Sequence, residues 1–139
     1  MKNFTLKLYR LCALAFLALL ISCGDDDDNS VDRVVGNWIY TGNYYGVTKQ
    51  FDPLDEECYI QTLSFKKTKD GVFTIIEDCD EIDYTSDFIW KKEKDAEIYS
   101  IKMDEDSQLL KITFETKNKM YIYVPGDSDA EVYERVLEE

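Results

Sequence analysis

The chain has 139 residues, of which 16 are basic, 29 are acidic and none is histidine, and its formal net charge at pH 7 is −13. A surface this acidic repels phosphate backbones, which excludes nucleic acid as a partner. Without histidine the chain lacks the usual general base and the commonest zinc ligand, and it has no glycine-rich phosphate loop. We therefore expect no enzyme activity, no cofactor and no metal site.

The first 22 residues have the layout of a secretion signal. Three basic residues lie among the first ten, an apolar run covers 11–21, and Ser22 is the small residue expected at a cleavage position. A helix of about 11 residues spans only about half of a hydrocarbon core roughly 30 Å thick. We therefore predict that residues 1–22 are a cleaved lipoprotein signal rather than a permanent membrane span.

The junction after this signal reads L-I-S-C at residues 20–23. It resembles the lipobox of bacterial lipoproteins, in which the cysteine is acylated and becomes the new N-terminus. That resemblance implies lipidation of Cys23 and a membrane partner that is held through the lipid. The alternative is an ordinary secreted protein that is cut near Ser22 and keeps Cys23 as a plain thiol.

Residues 23–32 are predicted to be the lipidated cysteine and an acidic tether. The segment G-D-D-D-D-N-S at 24–30 has no side chain that packs into a core, and it favours a solvated linker. It resembles the acidic export signal of surface-exposed lipoproteins in Bacteroidetes, which implies a lipid-anchored protein on the outer face of the outer membrane. A plain spacer is the alternative. A calcium site is disfavoured because the spaced oxygen ligands and the turn glycine are missing.

Residues 33–139 are predicted to form one domain of ordinary size, large enough to bury a core without a metal. Because the signal holds three of the 16 basic residues and none of the 29 acidic ones, the rest of the chain has 13 basic and 29 acidic residues, a net charge of −16. Such a surface also repels anionic lipid.

The domain sequence alternates short runs rich in Tyr, Phe, Ile, Val and Thr with clusters of Asp, Asn, Gly and Lys, which is typical of strands and turns. Connections of only a few residues make consecutive strands antiparallel neighbours. We expect an all-β fold, an eight-stranded antiparallel up-and-down meander barrel, with a two-sheet β-sandwich as the alternative. The predicted strands are 36–45, 58–66, 72–78, 84–93, 97–103, 109–115, 120–124 and 131–137, and a loop at 46–57 would cover one end of the barrel.

Two cysteines remain for the domain, because Cys12 leaves with the signal and Cys23 is assigned to the lipid. In an oxidising compartment Cys58 and Cys79 form a disulfide by default. A hairpin turn at 67–70 would place the two thiols opposite each other at the open end of the hairpin. A redox-active pair is the alternative, and the absence of C-x-x-C spacing disfavours it.

The motif G-N-W at Gly36–Trp38 opens the first strand, and Arg135 lies in the last strand, in Y-E-R-V. With the predicted meander, these residues resemble a lipocalin-like domain of the kind found in lipoproteins of Bacteroidetes. The resemblance implies that Trp38 plugs the closed end of the barrel and that Arg135 packs across it. A guanidinium over an indole face is a favourable cation–π contact.

The first functional hypothesis is a barrel that binds a small apolar or amphipathic ligand, which requires a cavity of several hundred Å³. The same aromatic side chains would instead fill a solid core if the interior is narrow. The candidate wall residues are Phe88, Trp90, Tyr99 and Phe114.

The second hypothesis is a non-catalytic accessory module that docks a protein or glycan partner at the cell surface through exposed tyrosines. Such a module requires a solid core and an exposed aromatic patch. An inhibitor that presents the loop at 46–57 is a third possibility. The candidate docking residues are Tyr40, Tyr44, Tyr45, Tyr121 and Tyr123.

Overall fold

A computed structural model of the protein describes residues 31–79, 81–95 and 97–137. The predicted signal, Cys23 and the acidic segment 24–30 lie outside the described residues. Within the described part of the chain, no helix is long and apolar enough to cross a membrane.

The described residues form nine β-strands and an all-β fold. Alternation of apolar and polar side chains gives each barrel strand one face toward the interior and one toward solvent. The strands are β1 (Gly36–Tyr45), β2 (Gln50–Pro53), β3 (Ile60–Phe65), β4 (Asp70–Ile76), β5 (Tyr84–Lys92), β6 (Ile98–Met103), β7 (Asp106–Thr116), β8 (Lys119–Tyr123) and β9 (Ala130–Arg135).

Eight of these strands close into an antiparallel barrel. From β3 to β9 each strand pairs with the next along the chain, and β1 pairs with both β3 and β9. The closing ladder runs from Trp38 opposite Arg135 to Tyr44 opposite Ala130. Because this ladder joins the first strand to the last, the predicted eight-stranded meander barrel is confirmed and the β-sandwich alternative is wrong.

The additional strand, β2, lies within the segment predicted to be a loop. It pairs with the second half of β1, from Gly42 opposite Pro53 to Tyr45 opposite Gln50, whereas β3 pairs only with the first half of β1. Gly42 makes this approach possible, because a Cβ atom at that position would collide with the carbonyl oxygen of Asp52. One side of β1 is therefore shared between two strands.

The β3–β4 hairpin confirms the disulfide but not the predicted register. Phe65 lies opposite Gly71, one residue away from the alignment that a turn at 67–70 would give. The connection is a three-residue loop because Lys69 adopts a left-handed φ of 72°, which tightens the turn. Cys58 and Cys79 are still joined, since both lie beyond the ends of the paired strands.

The two ends of the barrel differ. At the end named here the closed end, β1 begins and β9 finishes; at the other, the mouth, β1 finishes and β9 begins. Large aromatic and aliphatic side chains fill the closed end, with the rings of Phe65 and Phe88 packed edge to face at a centroid distance of 5.1 Å. The buried side chains of this end are Val34, Trp38, Phe65, Phe88, Trp90, Tyr99, Ile112 and Met120.

Candidate functional site

A cavity of about 560 Å³ occupies the mouth half of the barrel. This volume lies within the range of about 300–1,000 Å³ typical of small-molecule sites. Inward-facing residues of the central strands supply an apolar wall, and polar residues gather near the rim. The lining residues are Asn43, Tyr45, Gln61, Leu63, Phe73, Met103, Gln108, Leu110, Ile122, Tyr123, Val124, Asp129, Ala130, Glu131 and Tyr133.

A hydrogen-bonded network forms the polar wall of this cavity. Its centre is Gln61, whose side chain is only 8% exposed. The Gln61 amide donates to the hydroxyl of Tyr133 and to Oε2 of Glu131 at 3.4 Å, and its Oε1 accepts from the hydroxyl of Tyr59 at 2.6 Å. The Tyr133 hydroxyl in turn donates to Oε2 of Glu131 at 2.6 Å. The network therefore directs two donors, the Gln61 amide and the Tyr133 hydroxyl, toward the Glu131 carboxylate.

The tyrosines of this network stay protonated because of burial and of the neighbouring charge. Burial raises the pKa of Tyr133 well above 10.0, and the negative charge of Glu131 raises it further. The same two causes, burial first, raise the pKa of Tyr59 and Tyr40. In the network the hydroxyls of Tyr59 and Tyr133 are hydrogen-bond donors, to Gln61 and Glu131 respectively.

Within the described ranges, Glu131 takes part in no ion pair. Both hydrogen bonds that it accepts end on Oε2, so Oε1 accepts none from the described residues. Glu131 is exposed at the rim of the cavity. It is thus held in place by neutral donors while its charge remains without a basic partner in this part of the chain.

A second cavity of about 470 Å³, named here the slot, opens beside the mouth, between the β2 segment and the start of β3. The slot exists because β3 departs from β1 after Ile39. Asn43, Gln61 and Glu131 line both the slot and the barrel cavity. The polar network is therefore the partition between them. The slot is lined by Tyr40, Asn43, Asp52, Pro53, Leu54, Asp55, Glu56, Tyr59, Gln61 and Glu131.

Among the described residues that line these two cavities, the only charged groups are acidic side chains. The barrel cavity has two and the slot adds three, and neither lining includes a lysine or an arginine. Carboxylates of one sign around a concave, low-dielectric surface produce a focused negative potential. These acidic residues are Asp52, Asp55, Glu56, Asp129 and Glu131.

The four candidate wall residues from the sequence lie elsewhere. Phe88, Trp90 and Tyr99 are at most 2% exposed and pack together at the closed end, and Phe114 packs on Trp38 with a centroid distance of 6.0 Å. None of the four lines the barrel cavity. A role for them as ligand contacts stays a prediction, and the structure brings them together as packing for the closed end.

Sequence reasoning missed Gln61 and Glu131, although a signal for each was present. Arg135 was expected to face the interior, and strand residues two apart share a face. Tyr133 and Glu131 therefore face inward with it on β9. Gln61 carried a similar signal, because it lies two and four residues before Leu63 and Phe65 and shares their buried face of β3.

Trp38 and Arg135 seal the closed end. The indole Nε1 donates to the carbonyl of Val34 at 2.7 Å, and the Arg135 guanidinium carbon lies 4.2 Å from the centroid of the indole ring. The guanidinium also donates to the carbonyls of Val35 at 2.7 Å and Arg33 at 2.8 Å. Burial, and secondarily the charge of Arg33, lowers the pKa of Arg135. This is the packing that the lipocalin-like resemblance implies for the two residues.

The five candidate docking tyrosines do not form one patch. Tyr40 and Tyr45 line the slot and the barrel cavity, respectively. Tyr44 packs edge to face on Tyr121 at 5.7 Å, and Tyr121 stacks on Tyr123 at 6.4 Å. These last three form a partly exposed tyrosine surface on the outside of the barrel, and Tyr123 also reaches the rim, where it lines the barrel cavity.

Comparison of the chain with protein-family models, with curated proteins and with solved structures gives no match. The likeness of this chain to a lipocalin-like domain is therefore one of architecture. Both are eight-stranded antiparallel barrels in meander order, and here the pairing of β1 with β9 closes the barrel.

Proposed function

We propose that this protein is a non-catalytic binding module whose barrel holds a small amphipathic ligand in the cavity at its mouth. The observation that carries the proposal is the cavity of about 560 Å³, with an apolar wall and a polar rim. Burial of an alkyl chain against this wall is favourable by roughly 25 cal/mol per Å² of apolar surface removed from water. The polar network would orient the head group.

Displacement of a fluorescent apolar probe, N-phenyl-1-naphthylamine, tests this function. The chain is expressed from residue 23 with Cys23→Ser, which prevents acylation. Leu110→Trp fills the cavity from its wall and should abolish the fluorescence enhancement of the probe. The matched control is Leu109→Trp, because Leu109 is the adjacent residue on β7 and is 51% exposed. Equal probe binding by the two variants would contradict a ligand site inside the barrel.

The cellular setting belongs to the same proposal. Residues 1–22 direct export, Cys23 carries the lipid, and the acidic segment 24–30 directs the protein to the outer face of the outer membrane. Support comes from the order of charged, apolar and small residues and from L-I-S-C at 20–23. Metabolic labelling with an alkyne fatty acid should mark the wild type and Cys12→Ser, but not Cys23→Ser. Protease treatment of intact cells should then remove the labelled protein.

A second candidate function is docking of a protein or glycan partner on the tyrosine surface formed by Tyr44, Tyr121 and Tyr123. The specific observation is that these rings pack side by side on the outside of the barrel, and aromatic faces suit both protein hot spots and sugar rings. Tyr121 also lies opposite the buried Val132, so covering the sheet is its structural role. A Tyr121→Ala variant that no longer cross-links to a protein or glycan partner at the cell surface, while it keeps probe binding, would favour this candidate.

A further inference from the structure

We infer that the barrel cavity selects amphiphiles with a positively charged head group, such as an amine or a quaternary ammonium, over carboxylate amphiphiles of equal chain length. This inference rests on the proposed function, since it names the chemical class of the ligand that the cavity takes. It follows from the distribution of charge around the mouth, and it separates this barrel from one that carries fatty acids.

The first step is the absence of any basic side chain from the lining of the cavity and of the slot, both of which lie in the described part of the chain. A carboxylate ligand would need an arginine, a lysine or a set of donors to replace its water shell. At this mouth it would instead meet the charges of Glu131 and Asp129. Repulsion and desolvation both oppose its entry.

The second step is the state of Glu131. Neutral donors from Gln61 and Tyr133 fix Oε2, while Oε1 accepts no hydrogen bond from the described residues. The carboxylate of Glu131 is therefore held at the partition between cavity and slot, and its Oε1 is not used by Gln61 or Tyr133. A cationic head group at this point gains a charge-assisted contact without displacing the existing network.

The third step is the relation of the head-group position to the apolar wall. Glu131 and Leu63 line the same cavity, as do Ile122 and Tyr45. Ile122 lies opposite Glu131 in the β8–β9 ladder, so a ligand whose alkyl chain packs on Leu63 and Ile122 has its polar end within reach of the carboxylate. Tyr45 is 40% exposed at the rim and offers an aromatic face, which favours a quaternary ammonium.

The test compares three ligands with the same twelve-carbon chain: dodecyltrimethylammonium, dodecanol and dodecanoate, each below its micelle concentration. Each ligand competes with N-phenyl-1-naphthylamine for the chain that starts at residue 23 and carries Cys23→Ser. The ammonium should bind about tenfold more tightly than dodecanoate, with dodecanol between them. A preference for dodecanoate, or no charge preference, would overturn the inference while leaving the proposed function intact.

Two variants separate a specific carboxylate from the general negative charge of the protein. Glu131→Gln keeps an acceptor for Tyr133 and should bring the ammonium and dodecanoate affinities to within about threefold, with dodecanol unchanged. Glu134→Gln is the control, because it removes the same charge from a β9 residue that lines neither the barrel cavity nor the slot, and it should keep the tenfold preference. Equal effects of the two variants would overturn the role of Glu131.

The cavity-filling variant Leu110→Trp distinguishes failure of the inference from failure of the proposed function. It should lose all three ligands. Ammonium binding that survives in Leu110→Trp would place the cation on the outer surface and overturn the inference. If instead none of the ligands displaces the probe from the parent chain, the proposed function itself fails.

Discussion

The guanidinium carbon of Arg135 lies 4.2 Å from the centroid of the Trp38 indole ring, and the two residues are cross-strand partners in the ladder that closes the barrel. The last strand is thus fixed to the first by both backbone pairing and a side-chain stack. Arg135 also donates to the carbonyl of Lys117 at 3.1 Å, so it ties the β7–β8 turn to the same point.

Arg135→Ala should lower the free energy of unfolding by about 2–3 kcal/mol, because it removes the stack and the guanidinium hydrogen bonds to main-chain carbonyls. Arg135→Lys should recover only a minor part of this loss, since an ammonium lacks the planar fork of donors. Urea unfolding followed by tryptophan fluorescence measures both. Full stability of the lysine variant would mean that charge alone, rather than the geometry of the guanidinium, is required.

Gly36→Ala should destabilise the barrel more than Gly126→Ala. Both glycines have positive φ values, 143° and 92°, so an alanine is strained at either position, at a cost of about 1 kcal/mol. A Cβ at Gly36 would also collide with the Arg135 guanidinium, whereas one at Gly126 would meet no atom within 4 Å. Near-ultraviolet circular dichroism should change only for Gly36→Ala, because only there is the environment of Trp38 disturbed.

The free energy of unfolding should fall at alkaline pH, because the buried tyrosines lose their protons more readily in the unfolded state. Burial, with the Asp32 hydrogen bond as the next cause, raises the pKa of Tyr99 above its ordinary value of 10.0, and burial likewise raises that of Tyr133. Because the folded state holds these protons more tightly, their contribution is complete below about pH 10 and declines as pH rises from there toward the folded pKa. Each tyrosine adds a slope of up to about 1.4 kcal/mol per pH unit.

Unfolding free energies at pH 9, 10 and 11 test this dependence. Tyr99→Phe loses its hydrogen bond to Asp32 at every pH, so the informative quantity is the slope with pH and not the absolute value. The slope should be shallower for Tyr99→Phe than for the wild type. An unchanged slope would show that Tyr99 does not titrate differently in the folded and unfolded states.

Loss of the Cys58–Cys79 disulfide should destabilise the fold. The bond closes a loop with a sequence separation of 21, which corresponds to about 3 kcal/mol on the chain-entropy estimate. The double variant Cys58→Ser/Cys79→Ser and the reduced wild type should share one lowered midpoint in urea. Coincident transitions of oxidised and reduced protein would contradict the prediction.

The strand order was predictable because period-2 alternation and short connections act locally. Along β5, for example, buried Phe88 and Trp90 alternate with exposed Asp87 and Ile89. Two such strands joined by a short turn pair as antiparallel neighbours. A sheet of eight of them tends to close into a barrel, because closure removes its two unpaired edges. The β2 strand escaped prediction because all four of its residues are exposed, so no alternation marks it.

The position of the cavity was not predictable from alternation. Period 2 assigns Phe88 and Phe73 to the same interior, yet Phe88 packs at the closed end while Phe73 lines the cavity. How far along the barrel axis a side chain lies depends on the stagger accumulated over all eight strands. A shift of one residue, such as that in the β3–β4 hairpin, also reverses which face each side chain occupies.

The division of β1 between β3 and β2 has a mechanical consequence. At the level of Ile60 and Gln61 the circumference is completed by contacts among Gln61, Glu131 and Tyr59 and not by a ladder between β1 and β3. A guest wider than the resting interior would break side-chain hydrogen bonds at this level but no main-chain hydrogen bond between β1 and β3. On this side, side-chain contacts alone hold the mouth half of the barrel together, whereas the ladder between β1 and β3 holds the closed end.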